Sequence, residues 1–93
     1  MTAPTLDVYL NKRVVLDTAG PMIYIGLLEG YDERGYWLLE ADVHDRSDGH
    51  CTKEQYVNES RELARDGMVR SNRRRVFVER SAVISVSALD EIT

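Results

Sequence analysis

Between Tyr24 and Leu39 the chain carries two apolar runs separated by a charged turn, and this segment constrains the fold more than any other. Side chains in a strand alternate with period two, so Tyr24, Gly26, Leu28 and Gly30 share one face while Ile23, Ile25 and Leu27 share the other. Both faces therefore need cover. The strand runs from Met22 to Asp32, which is long for a soluble protein. Gly26 and Gly30 remove side chains where a small sheet bends and where another backbone comes close. Arg34-Gly35 reads as the hairpin turn. Tyr36 to Val43 then returns as a strand, with Trp37, Leu39, Ala41 and Val43 on one face.

The flanking segments extend this pattern. Thr2 to Asn11 reads as a short helix, with Pro4 in its first turn and an apolar face of Leu6, Tyr9 and Leu10. Arg13 to Thr18 is strand-like, with Val14 and Leu16 alternating against Arg13, Val15 and Asp17, and Ala19-Gly20-Pro21 is a turn. Thr52 and Gln55 stand at capping-box spacing and open a helix that runs to about Asp66, where Gly67 stops it. Its apolar stripe is Tyr56, Ser60, Leu63 and Ala64. Arg73 to Arg80 and Ala82 to Ala88 read as the last strands, joined tightly at Arg80-Ser81. The order is helix, three strands, inserted helix, two strands. No parallel βαβ pattern is present, and the expectation is a mainly β, small five-stranded antiparallel barrel in a single domain spanning residues 1–93, with an insert at about 44–72.

A chain of 93 residues folds around a thin core. Its longest apolar stretch, Met22 to Leu28, falls far short of the ~20 residues that span a bilayer, so no membrane association is expected. Residues 1–20 lack a secretory pattern, and Cys51 is the only cysteine. A reducing cytoplasm is the expected compartment. Net charge is −4, unevenly spread: Arg61 to Arg80 holds seven arginines against three acids, a local balance of +4. Such segregation places a basic face on an acidic protein.

Gly26, Leu28, Gly30, Asp32 and Leu39 fit the spacing G-x-L-x-G-[FY]-D-x6-L, which resembles the first motif of the Sm and Sm-like superfamily. Val76 to Val86 resembles the second motif. The chain looks like a divergent member, of bacterial or viral type, with a helical insert between the two motifs. The resemblance implies a strongly bent Sm-like barrel and a homo-oligomeric ring of five to seven subunits. It also implies that Val76, Phe77 and Val78 of one subunit meet Val83, Ile84 and Val86 of the next. Exposed strand edges favour the same outcome, because an uncovered edge templates aggregation and a closed ring uses every edge.

The resemblance further implies a single-stranded RNA site. The family's aspartate falls on Asp32, its asparagine on Tyr36, and its arginine-glycine pair on Glu79-Arg80. Two of these positions depart from the pattern, although the bacterial RNA-chaperone branch also lacks the asparagine and still binds RNA. An aromatic ring stacks on any base for roughly 1–3 kcal/mol, so Asp32, Tyr36 and Arg80 form the expected site; the alternative is that Tyr36 packs into the neighbouring subunit. Arg73, Arg74 and Arg75, with Arg70, add a field able to hold phosphates; the alternative is that they pair with Asp42, Asp45 and Asp48. The rival function is a ring that has lost RNA binding and serves as a protein-assembly module.

His44 to Cys51 gathers two histidines, two aspartates and a thiol, but at the spacing of no zinc motif, and it reads as a surface loop turning at Asp48-Gly49. There is no nucleophile elbow and no phosphate-cradling glycine loop. The expectation is a protein that is not an enzyme and uses neither metal nor cofactor.

Overall fold

The computed structural model describes residues 5–45 and 52–92. Five strands form one antiparallel sheet: β1 (Arg13–Thr18), β2 (Met22–Tyr31), β3 (Gly35–Asp45), β4 (Arg73–Glu79) and β5 (Val83–Ala88). The helix α1 (Lys53–Arg65) lies between β3 and β4 in the chain. The strand order is β4-β3-β2-β1-β5. The sheet is thus open, with β4 and β5 at its two ends, so the expected barrel is not closed by backbone hydrogen bonds within one chain. Among the described residues, no helix is long and apolar enough to cross a membrane.

Two cores occupy the two faces that the β1 and β2 alternation demands. Val14, Leu16, Leu28, Tyr36, Leu38, Ala41 and Val78 form the first, with Tyr24 packed against it. Val15, Ile23 and Ile25 point the other way and are covered by Tyr56 and Val57 of α1 and by Leu89. The helix is therefore a lid on the sheet and does not stand away from it. Each fully buried apolar side chain here contributes roughly 1.5–3 kcal/mol.

Three elements differ from the sequence expectation. At the N-terminus the helix is a single 3-10 turn, Leu6–Tyr9, and residues 1–4 lie outside the described part. It ends because Asn11 takes a left-handed conformation (φ 62°), which asparagine tolerates better than most residues, and the chain then bonds to β2 through Asn11 N–H to the Leu28 carbonyl at 2.9 Å. The hairpin turn is Asp32–Arg34, and Gly35 already belongs to β3. There β4 passes so close that a Cβ on Gly35 would stand 2.2 Å from the Val78 carbonyl oxygen.

The third difference is a pair of bulges. From Ile25↔Asp42 to Leu27↔Leu39 the register advances two residues on β2 and three on β3. The extra residue comes with Glu40 at φ 46°, and its carbonyl accepts from Arg13 Nη2 at 2.9 Å. Beyond it the faces exchange, so Ala41 joins Leu38 in the first core instead of following Trp37 and Leu39. Gly26 makes this possible: a Cβ there would lie 3.0 Å from Ala41 Cβ and 3.1 Å from Leu38 Cβ. A compensating bulge on β2 lies between Leu28 and Gly30.

The helix is pinned at both ends. Thr52 and Gln55 form the capping box, and Gly67 (φ 77°) follows the C-cap Asp66. Lys53 Nζ reaches Asp17 Oδ1 at 2.6 Å and the carbonyls of Thr18 and Gly20, both at 2.9 Å. Three charge-assisted bonds thus tie the helix start to the β1–β2 turn. Arg61 donates to the Ile92 carbonyl near the other end. Lys53→Ala is expected to lower stability by about 1–3 kcal/mol in chemical denaturation, because it deletes hydrogen bonds from a charged donor. An unchanged midpoint would show that the helix start is not held by this lysine.

Candidate nucleic-acid interface

Asp32 is first of all the residue that builds its own turn. Its Oδ1 accepts from Arg34 N–H at 2.7 Å and Gly35 N–H at 3.2 Å, and its N–H donates to the Gly35 carbonyl at 3.0 Å. The Arg80 N–H then donates to the Arg34 carbonyl at 2.8 Å, docking the 3-10 turn Arg80–Ala82 onto the β2–β3 turn. These bonds bring Arg80, distant in sequence, to Asp32 and Tyr36 at one hollow of about 280 Å3, completed by Leu6, Tyr31 and Glu33.

Tyr36 sits in this hollow differently from the expectation. It pairs with Val78 across the β3–β4 ladder, is 7% exposed and belongs to the first core. Its ring is thus a packing group of its own subunit. Tyr31, which the sequence reading quoted inside the motif and did not nominate, is the less buried aromatic at the hollow. Its hydroxyl donates to Asp7 Oδ1 at 2.6 Å, and that bond raises the phenol pKa above its ordinary value. The signal for Tyr31 was its place at the motif's aromatic position, beside Asp32. Arg80 is exposed.

Arg73, Arg74 and Arg75 stand at the opposite end of β4, roughly 20 Å from Arg80 at the strand rise per residue. Arg75 lies over the Trp37 ring at 4.5 Å from its centroid and pairs with Glu29 at 3.0 Å. Trp37 in turn packs against Phe77, with ring centroids 4.8 Å apart. Arg73 donates to the Asn72 carbonyl at 2.9 Å, and Arg74 is exposed. Arg70 pairs with Glu59 at 3.2 Å and lies 5.7 Å from the Tyr56 centroid. Two of these arginines thus find carboxylates other than the hairpin aspartates considered from sequence, and Asp42 accepts the Tyr56 hydroxyl. Burial, reinforced by that bond, pushes the Tyr56 phenol well above the usual tyrosine range. The arginines and the hollow form two separate places on the subunit.

Of the edge residues, Val76, Val78, Val83 and Val86 pack against the first core, Phe77 covers Gly35, and Ile84 is 65% exposed. His44 stacks on Tyr56 with centroids 4.1 Å apart at 10°. Asp45 ends β3, residues 46–51, including Asp48, lie outside the described part, and among the described residues no group of three metal-ligating side chains converges.

No family model and no curated protein sequence matches the chain. Solved structures do. One is the Sm protein of Pyrococcus abyssii in complex with a uridine heptamer, at 20% identity and a TM-score of 0.59, covering 92% of this chain and 99% of that one. Another is a chain of the NatC complex bound to CoA, at 15% identity and a TM-score of 0.60, covering 98% and 91%. At these identities the likeness is one of backbone. A mainly β architecture of five antiparallel strands, in an open sheet carrying one helix, is an Sm-like fold.

Proposed function

We propose that this chain forms a homo-oligomeric ring of five to seven subunits and binds single-stranded RNA, as a chaperone or RNA-metabolism factor of the cytoplasm. The observation that carries the reading is the backbone likeness, over 92% of the chain, to an Sm protein complexed with a uridine heptamer. The open sheet supports the ring. Its end strands β4 and β5 each leave one edge unpaired among the described residues, and Ile84 adds an exposed apolar side chain on β5. Joining β4 of one subunit to β5 of the next satisfies both edges, and rotation closes the series.

The RNA site in this reading is the hollow at Asp32. Arg80 holds the phosphate or base edge, Tyr31 offers a ring for stacking, and Tyr36 supports the floor. The Arg73-to-Arg75 end of β4 adds a salt-sensitive phosphate contact. A second reading has its own support: the burial of Tyr36 and the commitment of Asp32 to its turn leave fewer groups for a base. In that case the ring is a protein-assembly module.

Analytical ultracentrifugation at micromolar concentration is expected to give five to seven times the subunit mass, and a monomer would dismiss the ring. Fluorescence anisotropy is expected to report micromolar binding of a U-rich oligoribonucleotide that persists at physiological salt. Arg80→Glu, on the surface, is expected to weaken it about tenfold or more with the melting point unchanged. Tyr36→Ala is expected to cost about 3–5 kcal/mol of stability, as for a buried aromatic residue. A stable Tyr36→Ala protein that loses only RNA affinity would return this ring to a stacking role. Absence of RNA binding at any salt would select the protein-assembly reading.

A further inference from the structure

The packing of α1 on the sheet creates a cleft that a five-stranded sheet alone does not contain. It measures about 360 Å3 and lies between the start of β1, the C-terminal half of α1 and the 3-10 turn Leu89–Glu91. Lys12, Arg13, Arg61 and Arg65 line it against one carboxylate, Asp90. Its apolar surface comes from Ala64 and Leu89.

The four cations are not equivalent. Arg13 is committed, since its guanidinium donates to the Glu40 carbonyl, and burial lowers its pKa despite Glu40 and Asp42. Arg61 is half committed: it donates to the Ile92 carbonyl, while its Nε is shut off from solvent with no acceptor among the described residues. Lys12 and Arg65 are exposed and make no ion pair or side-chain hydrogen bond among the described residues. Two exposed cations at an apolar hollow, uncommitted among the described residues, favour an anion.

We propose that this cleft binds a nucleoside 5′-monophosphate, either free or as the phosphorylated 5′ end of an RNA strand. Lys12 and Arg65 hold the phosphoryl oxygens, and Arg61 closes the site from below. Guanidinium groups stack on planar rings, so the base lies against the arginine side chains and the Leu89 floor. Asp90 accepts from the ribose hydroxyls and repels a second phosphate, which restricts the site to a single phosphoryl group. The site is separate from the hollow at Asp32, and its occupancy does not depend on RNA binding there.

Titration calorimetry of the full chain with uridine 5′-monophosphate tests this. Binding is expected to be at least about tenfold tighter than that of uridine or inorganic phosphate, since each of those supplies only half of the contacts. Lys12→Ala with Arg65→Ala, both on the surface, is expected to weaken it by about tenfold or more with the melting temperature unchanged. Arg80→Glu is expected to leave it unaltered. A 5′-phosphorylated oligoribonucleotide that shares the Lys12 and Arg65 dependence, where its 5′-hydroxyl counterpart does not, identifies the RNA end as the source. Dependence seen only with the mononucleotide identifies the free nucleotide. Failure of both ligands to bind, or inorganic phosphate binding as tightly as the nucleotide, overturns the proposal. So does binding that the double variant leaves intact.

Discussion

Burial of β2 on both faces is the constraint from which the rest of this structure follows. Tyr24 and Leu28 face one core, Ile23 and Ile25 the other, and neither set can be left in water without forfeiting several kcal/mol. A five-stranded sheet curling on itself encloses only one of those faces. The other has to be covered by something outside the sheet, and α1 supplies the cover with Tyr56 and Val57. The insert is thus a structural requirement of this particular hairpin as well as an addition to the fold. Its modest apolar stripe is sufficient because the surface it covers is narrow.

Covering that face has chemical consequences. The helix carries polar and charged groups down with it, and three are matched locally: Lys53 to Asp17 and two carbonyls, Tyr56 to Asp42, Arg61 to the Ile92 carbonyl. Where matching runs out, at Arg61 Nε and around Lys12 and Arg65, a basic cleft remains. The hollow at Asp32 arises from turn geometry instead, on the other side of the molecule's logic. Its aspartate is spent mainly on holding backbone N–H groups. The basic cleft and the turn hollow thus have unrelated origins.

Much of the fold is legible in the sequence, and the limits have physical causes. Apolar patterning identifies all five strands, by alternation in the first three and short apolar runs in the last two, and the capping residues bracket α1, because these signals are local. The face assignment of Ala41 fails because a bulge reverses alternation, and nothing local to Glu40 announces a left-handed residue there. The signal lies instead at Gly26, fourteen residues before Glu40 and on the partner strand. The site residues Asp32, Tyr36 and Arg80 are brought together as their motif positions imply, yet the burial of Tyr36 depends on Val78, whose pairing no motif encodes. The cleft beside α1 joins the two ends of the chain to its middle, so no window of sequence contains it.

The pairing of β1 with β5 has a further bearing on how the protein comes to be folded. Val14 lies opposite Ala88, so one edge of the first strand has no partner until synthesis has passed through β5. At roughly 5–20 residues per second, that edge waits for seconds while β2, β3 and α1 emerge. During that interval it presents to neighbouring nascent chains the same unpaired surface that β5 will occupy.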